Sequence, residues 1–253
     1  MPLTTHPHLR RLDLHDRSQR LAPWIFDANK LIYTMTAFLQ ITWFSYYKST
    51  SYIAMHGKEG PSITLPNLEV LQYHSIGVPC LPHRRLLLPT LRHLTIHITD
   101  VHNGYKSLWK SILLGYGSTL RSVSIDLNST NYTGQFLHKE DFPDWSQVPH
   151  LRYLKVTSFA SLSFSLLPVT HPLRIFAAEI WDINNLFSCL DSENLQEIRM
   201  LSAIWDSSRR CFTRKTSGNS PSLLTTMHQC IDYYTMWRLW EKAASKGIVL
   251  RLE

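Results

Sequence analysis

The chain is poor in glycine and cysteine, the residues from which phosphate-binding loops, disulfide frameworks and zinc knuckles are built. Its 253 residues include only nine glycines and four cysteines, and the cysteines form no Cys-x-x-Cys pair. No Gly-x-Ser-x-Gly, phosphate-binding glycine loop, His-Glu-x-x-His or dinucleotide-binding motif is present. These absences disfavour motif-bearing enzymes, disulfide-rich secreted domains and zinc knuckles. We therefore predict a protein that is not an enzyme, needs no metal or cofactor, and resides in the cytoplasm or nucleus.

A membrane-spanning stretch is weakly indicated at one place. Residues 31–47 are 17 consecutive uncharged residues, and that length is at the lower limit for crossing a bilayer. Five polar residues interrupt the run, and the first residues of the chain lack the apolar core of a secretory signal. A helix that leads into a buried strand predicts the same pattern. A protein anchored in a membrane through 31–47 therefore remains a disfavoured alternative.

A recurring phrase, Leu-x-x-Leu-x-Leu, is the main positive feature of the sequence. Clear copies begin at Leu9, Leu68, Leu91, Leu120, Leu151, Leu173 and Leu195, and a looser copy begins at Phe38. Successive copies start 22 to 31 residues apart, around the period of roughly 20–29 residues that is typical of leucine-rich repeats. Each phrase predicts a short strand whose first, fourth and sixth residues point into a core.

The repeats predict an α/β fold, a leucine-rich-repeat solenoid with a parallel β-sheet on one face and helices or loops on the other. One such domain is expected to span residues 1–253, with polar insertions near 45–62 and 207–222. Helices are predicted at 27–37, 103–117, 182–189 and 226–246, and a last strand at 248–252. In the last helix the predicted buried stripe comprises Met227, Cys230, Tyr233, Tyr234, Trp237, Trp240 and Ala244.

The formal charge of +7 favours acidic partners or nucleic acid through long-range attraction. The basic residues are spread along the chain, and no recognition helix or RNA-binding motif accompanies them. A basic nucleic-acid-associated protein is therefore a disfavoured alternative. Cys211 lies among arginines whose charge would lower the pKa of a thiol, but its polar surroundings favour an incidental cysteine.

The third, fifth and seventh residues of each phrase are expected to face away from the core and to form a concave recognition surface. The predicted partner-binding residues are Phe44, His74, His93, His97, Asp126, Tyr153, Lys155, Glu179 and Arg199. The register places His74, His97 and Asp126 in one column across neighbouring strands. Such a column could hold a metal or respond to pH, but we favour a contribution to partner recognition.

With these phrases, the chain resembles the irregular leucine-rich-repeat domains of fungal F-box-like proteins. The resemblance rests on copies of the form Leu-Pro-x-Leu-x-x-Leu, such as Leu65-Pro-Asn-Leu-Glu-Val-Leu71 and Leu88-Pro-Thr-Leu-Arg-His-Leu94. It implies a non-enzymatic protein-recognition scaffold, with the substrate-receptor part of a ubiquitin ligase as one such role. No F-box is visible, so the chain is expected to be a fragment or a shortened relative. Adaptor and cullin subunits are partners only if an F-box lies upstream.

Overall fold

The computed structural model describes residues 8–16, 39–48, 63–75, 86–98, 115–127, 144–158, 167–179, 186–187, 189–201, 203–207, 211–214 and 231–253. These residues form an α/β structure with one nine-stranded parallel sheet. The predicted helix at 27–37 and most of the one at 103–117 lie outside the described residues. Of the predicted helix at 182–189, residues 186, 187 and 189 are helical.

The main sheet contains nine strands that follow one another in chain order. Its strands are β1 (Arg11–Asp16), β2 (Trp43–Lys48), β4 (Val70–Ser75), β6 (His93–Ile98), β7 (Ser122–Leu127), β8 (Tyr153–Ser158), β9 (Ile175–Glu179), β10 (Glu197–Leu201) and β14 (Val249–Leu252). Between them lie β3 (Ile63–Thr64) and β5 (Leu86–Leu87), which pair with each other in parallel. Every adjacent pair in the main sheet is parallel.

The repeated phrases lie side by side in register, as the sequence predicts. Leu94 is opposite Val123, and Val123 is opposite Leu154. These fourth residues are at most 3% exposed, because alternate residues of a strand point to the same side of the sheet. The first and sixth residues of the same phrases are equally buried, so one continuous apolar core lies along this side.

The Leu-Pro-x-Leu quartets form tight turns before their strands. The amide of Leu91 donates to the carbonyl of Leu88 at 3.1 Å, and that of Leu151 donates to Val148 at the same distance. Proline suits the second position of such a turn because its ring fixes φ and no amide is needed there. Both flanking apolar side chains are buried, so each turn inserts two residues into the core before the strand begins.

The second residue of each phrase connects one strand to the next. The carbonyl of Arg92 accepts from the amides of Arg121 at 2.8 Å and Ser122 at 3.0 Å. The same pair of hydrogen bonds joins each strand of the main sheet to the next from β1 to β10. At the last step, from β10 to β14, a single amide, that of Val249, donates to the carbonyl of Gln196. The backbone of each second residue is therefore held in place by the following strand.

The looser copy begins at Ile41 rather than at Phe38. Ile41, Phe44 and Tyr46 are at most 3% exposed and occupy the first, fourth and sixth positions, while Leu39 is 47% exposed. Phe44 is opposite Leu12 and Leu71, both fourth residues of their own phrases. Its predicted place on the recognition surface is therefore wrong, because the phrase is displaced by three residues from the predicted one.

After β10 the chain forms a small antiparallel sheet of three strands, β11 (Ala203–Asp206), β12 (Cys211–Arg214) and β13 (Ile231–Asp232). Residues 211–214, placed in a polar insertion by the sequence prediction, are therefore strand, and Cys211 is buried. Residues 45–48 of the other predicted insertion belong to β2. Residues 49–62 and the remainder of 207–222, apart from residue 207, lie outside the described residues.

The C-terminal helix α1 (Tyr233–Ser245) begins at 233 rather than at 226. Asp232 caps it by accepting from the amide of Thr235 at 2.8 Å, an interaction that favours a helix start at this residue. Of the predicted helical residues before it, 231–232 are strand and 226–230 lie outside the described residues. The α1 helix contacts β13 and β14.

The buried face of α1 differs from the predicted one. Met236, Leu239 and Ala243 are at most 5% exposed, whereas Tyr234 and Trp240 are 69% and 49% exposed. The predicted aromatic stripe therefore points outward. The helix thus has two apolar stripes, one aromatic and one aliphatic. The aliphatic stripe, formed by Met236, Leu239 and Ala243, is the buried one.

Neither α1 nor any other described helix is long and apolar enough to cross a membrane. Within the predicted span 31–47, residues 43–47 belong to β2, and 31–38 lie outside the described residues.

Candidate functional site

The candidate site is the side of the main sheet opposite the core, which we call the outer face. It is formed by the third, fifth and seventh residues of the aligned phrases, because these alternate with the buried ones. On β4, β6, β7 and β8 all of these side chains are at least partly exposed. The half-buried or exposed members there are Val70, Gln72, His74, His93, Thr95, His97, Ser122, Ser124, Asp126, Tyr153, Lys155 and Thr157.

A row of side chains crosses four strands at the seventh position, and we call it the imidazole row. It comprises Tyr47, His74, His97 and Asp126, which are opposite one another in register. The ring centroids of Tyr47 and His74 are 6.0 Å apart, and those of His74 and His97 are 5.4 Å apart. The predicted column of His74, His97 and Asp126 is confirmed, and Tyr47 extends it by one strand.

The imidazole row ends in an ion pair. Nδ1 of His97 lies 2.8 Å from Oδ2 of Asp126, with both side chains partly exposed. The hydrogen bond to Asp126 and the charge of its carboxylate hold the pKa of His97 above its ordinary value of 6.5, although burial opposes them. The raised pKa favours an imidazolium, which donates to the carboxylate.

Asp126 is held in its charged form by several neighbours. Burial alone would raise its pKa, but hydrogen bonds from His97 and Thr157 and the positive charges of His97 and Lys155 lower it below 3.8. The Thr157 hydroxyl also lies 3.1 Å from the carbonyl oxygen of Ile125. The centre of the outer face is therefore an ordered polar network rather than a set of independent side chains.

A second charged cluster lies toward the C-terminal end of the outer face. Glu197 accepts from Arg199 at 3.0 Å and from Arg251 at 2.9 Å, and Arg199 also lies 3.5 Å from Glu253. The hydrogen bond to Glu197 raises the pKa of Arg199 further. Tyr153 is near this cluster: burial raises its pKa, the charge of Arg199 lowers it, and the two carboxylates raise it.

At the opposite end of the outer face, Arg11 covers Trp43. The guanidinium carbon is 4.6 Å from the centroid of the indole ring, and Arg11 also pairs with Asp13 at 2.8 Å. Trp43 and Tyr47 were not predicted for this surface because the phrase on β2 was displaced. Aligning that phrase on Ile41 would have found both.

The other predicted residues have varied positions. His93 is exposed, while Lys155 and Arg199 are half-buried on the outer face. Glu179 is the last residue of β9, and its side chain lies outside the described part of the structure. Between Lys155 and Arg199 the register places Ala177, which is fully buried. The outer face is therefore covered at the fifth position of β9.

Metal-ligating side chains are not grouped within the described ranges. No set of three or more His, Cys, Asp or Glu residues there has the geometry to hold a metal ion. His97 and Asp126 are paired with each other, with 2.8 Å between Nδ1 and Oδ2.

The chain was compared with known proteins at three levels. No protein-family model, no curated protein and no solved structure matches it. The function of the outer face therefore has to be inferred from its own side chains and from the resemblance of the repeated phrases.

Proposed function

We propose that the chain is an irregular leucine-rich-repeat solenoid that recognises a protein partner on the outer face of its sheet. Nine parallel strands in chain order, whose aligned phrases contribute to one apolar core, support the repeat architecture. Such stacks present long, shallow surfaces, which suit proteins better than small molecules.

The imidazole row is the observation that carries the proposal. Tyr47, His74, His97 and Asp126 span four strands, so with strands about 4.8 Å apart the row is roughly 14 Å long. Its rings contact one another and its last member is ion-paired, so little side-chain entropy is lost when a partner binds. A preorganised, partly exposed aromatic and charged surface is typical of protein interfaces.

The proposed anchors are the large side chains around this row. Trp43 and Tyr153 occupy the third position, on β2 and on β8, and the guanidinium of Arg11 covers the ring of Trp43. Tyrosine, tryptophan and arginine supply most binding hot spots because they bury a large area with few rotatable bonds. Arg199, fixed by two carboxylates, would present its guanidinium to an acceptor on the partner.

The outer-face proposal is tested by affinity purification of the tagged protein with quantitative mass spectrometry. Tyr47→Ala combined with Tyr153→Ala removes two partly exposed rings, and Tyr233→Ala combined with Tyr234→Ala is a matched control on exposed α1. We expect a partner whose capture falls at least about tenfold with the first pair and is unchanged with the second. Equal capture by both variants and the wild type would contradict the proposal.

A more specific role, substrate receptor of a ubiquitin ligase, is supported by the resemblance to fungal F-box-like repeat domains. In that role the outer face would hold the substrate, while an upstream F-box would bind the adaptor. Purification of the full-length transcript product tests this role. Recovery of adaptor and cullin subunits supports it, and their absence from a product with an intact upstream exon contradicts it.

A further inference from the structure

Arginine recurs at the second position of the repeated phrase. It occupies this position on four neighbouring strands, as Arg92, Arg121, Arg152 and Arg174. We call these four residues the arginine ladder. All four side chains are exposed. The ladder lies just before the strands begin, beside the outer face but formed by none of its residues.

The backbone fixes the spacing of the ladder. The carbonyls of Arg92, Arg121 and Arg152 each accept from the next ladder residue, at 2.8, 2.8 and 2.9 Å. Each step is one strand-to-strand distance of about 4.8 Å, so the four Cα atoms extend over roughly 14 Å. The four cationic side chains therefore start from a regular and rigid line.

The ladder arginines differ from three arginines of the main sheet in the charged groups that surround them. Arg11, Arg199 and Arg251 each have a carboxylate within 3.0 Å. In the part of the chain that the structure describes, none of the four ladder guanidinium groups takes part in an ion pair. Four like charges in a line repel one another, and bound carboxylates would relieve this repulsion.

We propose that the arginine ladder binds an acidic α-helical segment of a protein partner. Glutamates that follow one another at steps of three or four residues lie on one side of a helix. Successive glutamates are then about 4.5 to 6 Å apart along the helix axis. Four of them extend over about 15 Å, close to the length of the ladder. Each guanidinium can then donate two parallel hydrogen bonds to the oxygens of one carboxylate.

The ladder is less suited to nucleic acid. Salt-sensitive nucleic-acid binders commonly engage about 6–10 phosphates, whereas the ladder offers four cations in one row. The second position on the strand before it is Glu69, which would repel a phosphate backbone that continued past Arg92. Gln196 follows Arg174 and supplies no charge. A short acidic segment matches the ladder, because Glu69 on one side and Gln196 on the other limit the row to four positive charges.

The proposal is tested by fluorescence anisotropy with two synthetic helical peptides of the same composition. One has four glutamates along a single side, and the other has the same glutamates distributed around the helix. We expect the first peptide to bind the full chain at low salt, about 50 mM, at least about fivefold more tightly than the second. Equal affinity for the two peptides would overturn the proposal.

Variants assign the binding to the ladder. Arg121→Gln with Arg152→Gln removes two ladder charges, and Arg238→Gln with Lys246→Gln removes the same charge at exposed positions in and next to α1. We expect the first pair to weaken binding of the one-sided peptide about fivefold or more, and the second to change it less than about twofold. Equal weakening by both pairs would overturn the assignment, because only net charge would then matter. Thermal melts confirm that both variants are folded.

Two further measurements distinguish the ladder from nucleic-acid binding and from the outer face. An oligothymidylate of roughly 15 nucleotides that bound better than the one-sided peptide, and lost affinity with the ladder variant, would replace the proposal with nucleic-acid binding. Tyr47→Ala with His74→Ala alters the outer face and should leave peptide binding unchanged. The ladder proposal stands independently of the proposed function, because the two surfaces share no side chain.

Discussion

His97 and Asp126 are 29 residues apart in sequence, yet Nδ1 of one lies 2.8 Å from Oδ2 of the other. They meet because both occupy the seventh position of a phrase, on strands that are neighbours in the sheet. The contact thus reports directly on the stacking of the phrases. Its titration provides a measurement of that stacking in solution.

The first prediction concerns the pKa of His97. The hydrogen bond and charge of Asp126 raise it above 6.5, so a histidine resonance titrating above that value should be present in NMR spectra. Asp126→Asn should lower this pKa, because the amide cannot stabilise an imidazolium as a carboxylate does. Ser124→Ala, on the same face of the same strand, is the control. An unchanged titration in Asp126→Asn would show that the pair does not form.

The second prediction concerns the pH dependence of stability. The pKa of His97 is raised on folding, so its contribution is full below 6.5 and is lost as pH rises through the folded pKa. The pKa of Asp126 is lowered, so its contribution is present above 3.8 and is lost as pH falls through the folded pKa. The pair should therefore stabilise the folded protein most at pH values between 3.8 and 6.5.

Because both side chains are partly exposed, the effect should be below about 1 kcal/mol. Urea unfolding of the wild type and of His97→Gln across this pH range measures it. The difference between the two proteins should shrink at both ends of the range. A difference that is independent of pH would contradict the assignment.

The third prediction tests the corrected register of β2. Phe44→Ala should destabilise the protein by about 3–5 kcal/mol, because a fully buried ring leaves a cavity. Tyr47→Ala, three residues later on the other side of the strand, should cost about 1 kcal/mol or less. Chemical denaturation of both variants distinguishes the two registers. The register starting at Phe38 places Phe44 on the outer face and requires the smaller loss there.

The fourth prediction tests which face of α1 is buried. Leu239→Ala should cost about 2–5 kcal/mol because Leu239 is fully buried. Tyr234→Ala should cost less than about 1 kcal/mol, because Tyr234 is 69% exposed and the guanidinium carbon of Arg238 lies 5.9 Å from the centroid of its ring, an exposed cation–π contact. Thermal unfolding of the two variants provides the comparison. A larger loss for Tyr234→Ala would restore the aromatic stripe as the packed face.

The fifth prediction concerns Cys211. Its side chain is 4% exposed in β12, and a buried thiol reacts slowly with thiol reagents even when arginines are near in sequence. In a variant with Cys80 and Cys230 replaced by Ser, both remaining cysteines are buried. We expect modification only at the rate of local or global unfolding. Rapid reaction of one thiol in native buffer would indicate an exposed, activated Cys211.

The main sheet could be predicted from sequence because its signal is redundant. Leu91, Leu120 and Leu151 each begin a phrase with the same spacing of apolar residues, and only one register buries them all. His74, His97 and Asp126 of the imidazole row follow from that register, whereas Tyr47 does not, because the phrase on β2 is displaced.

The parts that could not be predicted are those where two patterns compete. Phe38 and Ile41 both offer an apolar first residue for the phrase on β2, and local sequence cannot decide between them. α1 has an aromatic stripe and an aliphatic one, and periodicity alone does not decide which is buried; in the structure Leu239 is buried and Trp240 is 49% exposed. The arginine ladder becomes visible in the sequence only when the second positions of the aligned phrases are compared.

The carbonyl of each second residue from Arg10 to Arg174 accepts two successive amides at the start of the following strand, and that of Gln196 accepts one; this has a consequence for how the molecule tolerates change. The bonds are the same where 22 residues separate two phrases, from Leu151 to Leu173, and where 31 residues do, from Leu120 to Leu151. Changes of length in the connecting segments are therefore compatible with an unchanged alignment of the strands, so the outer face can keep its pattern while those segments diverge.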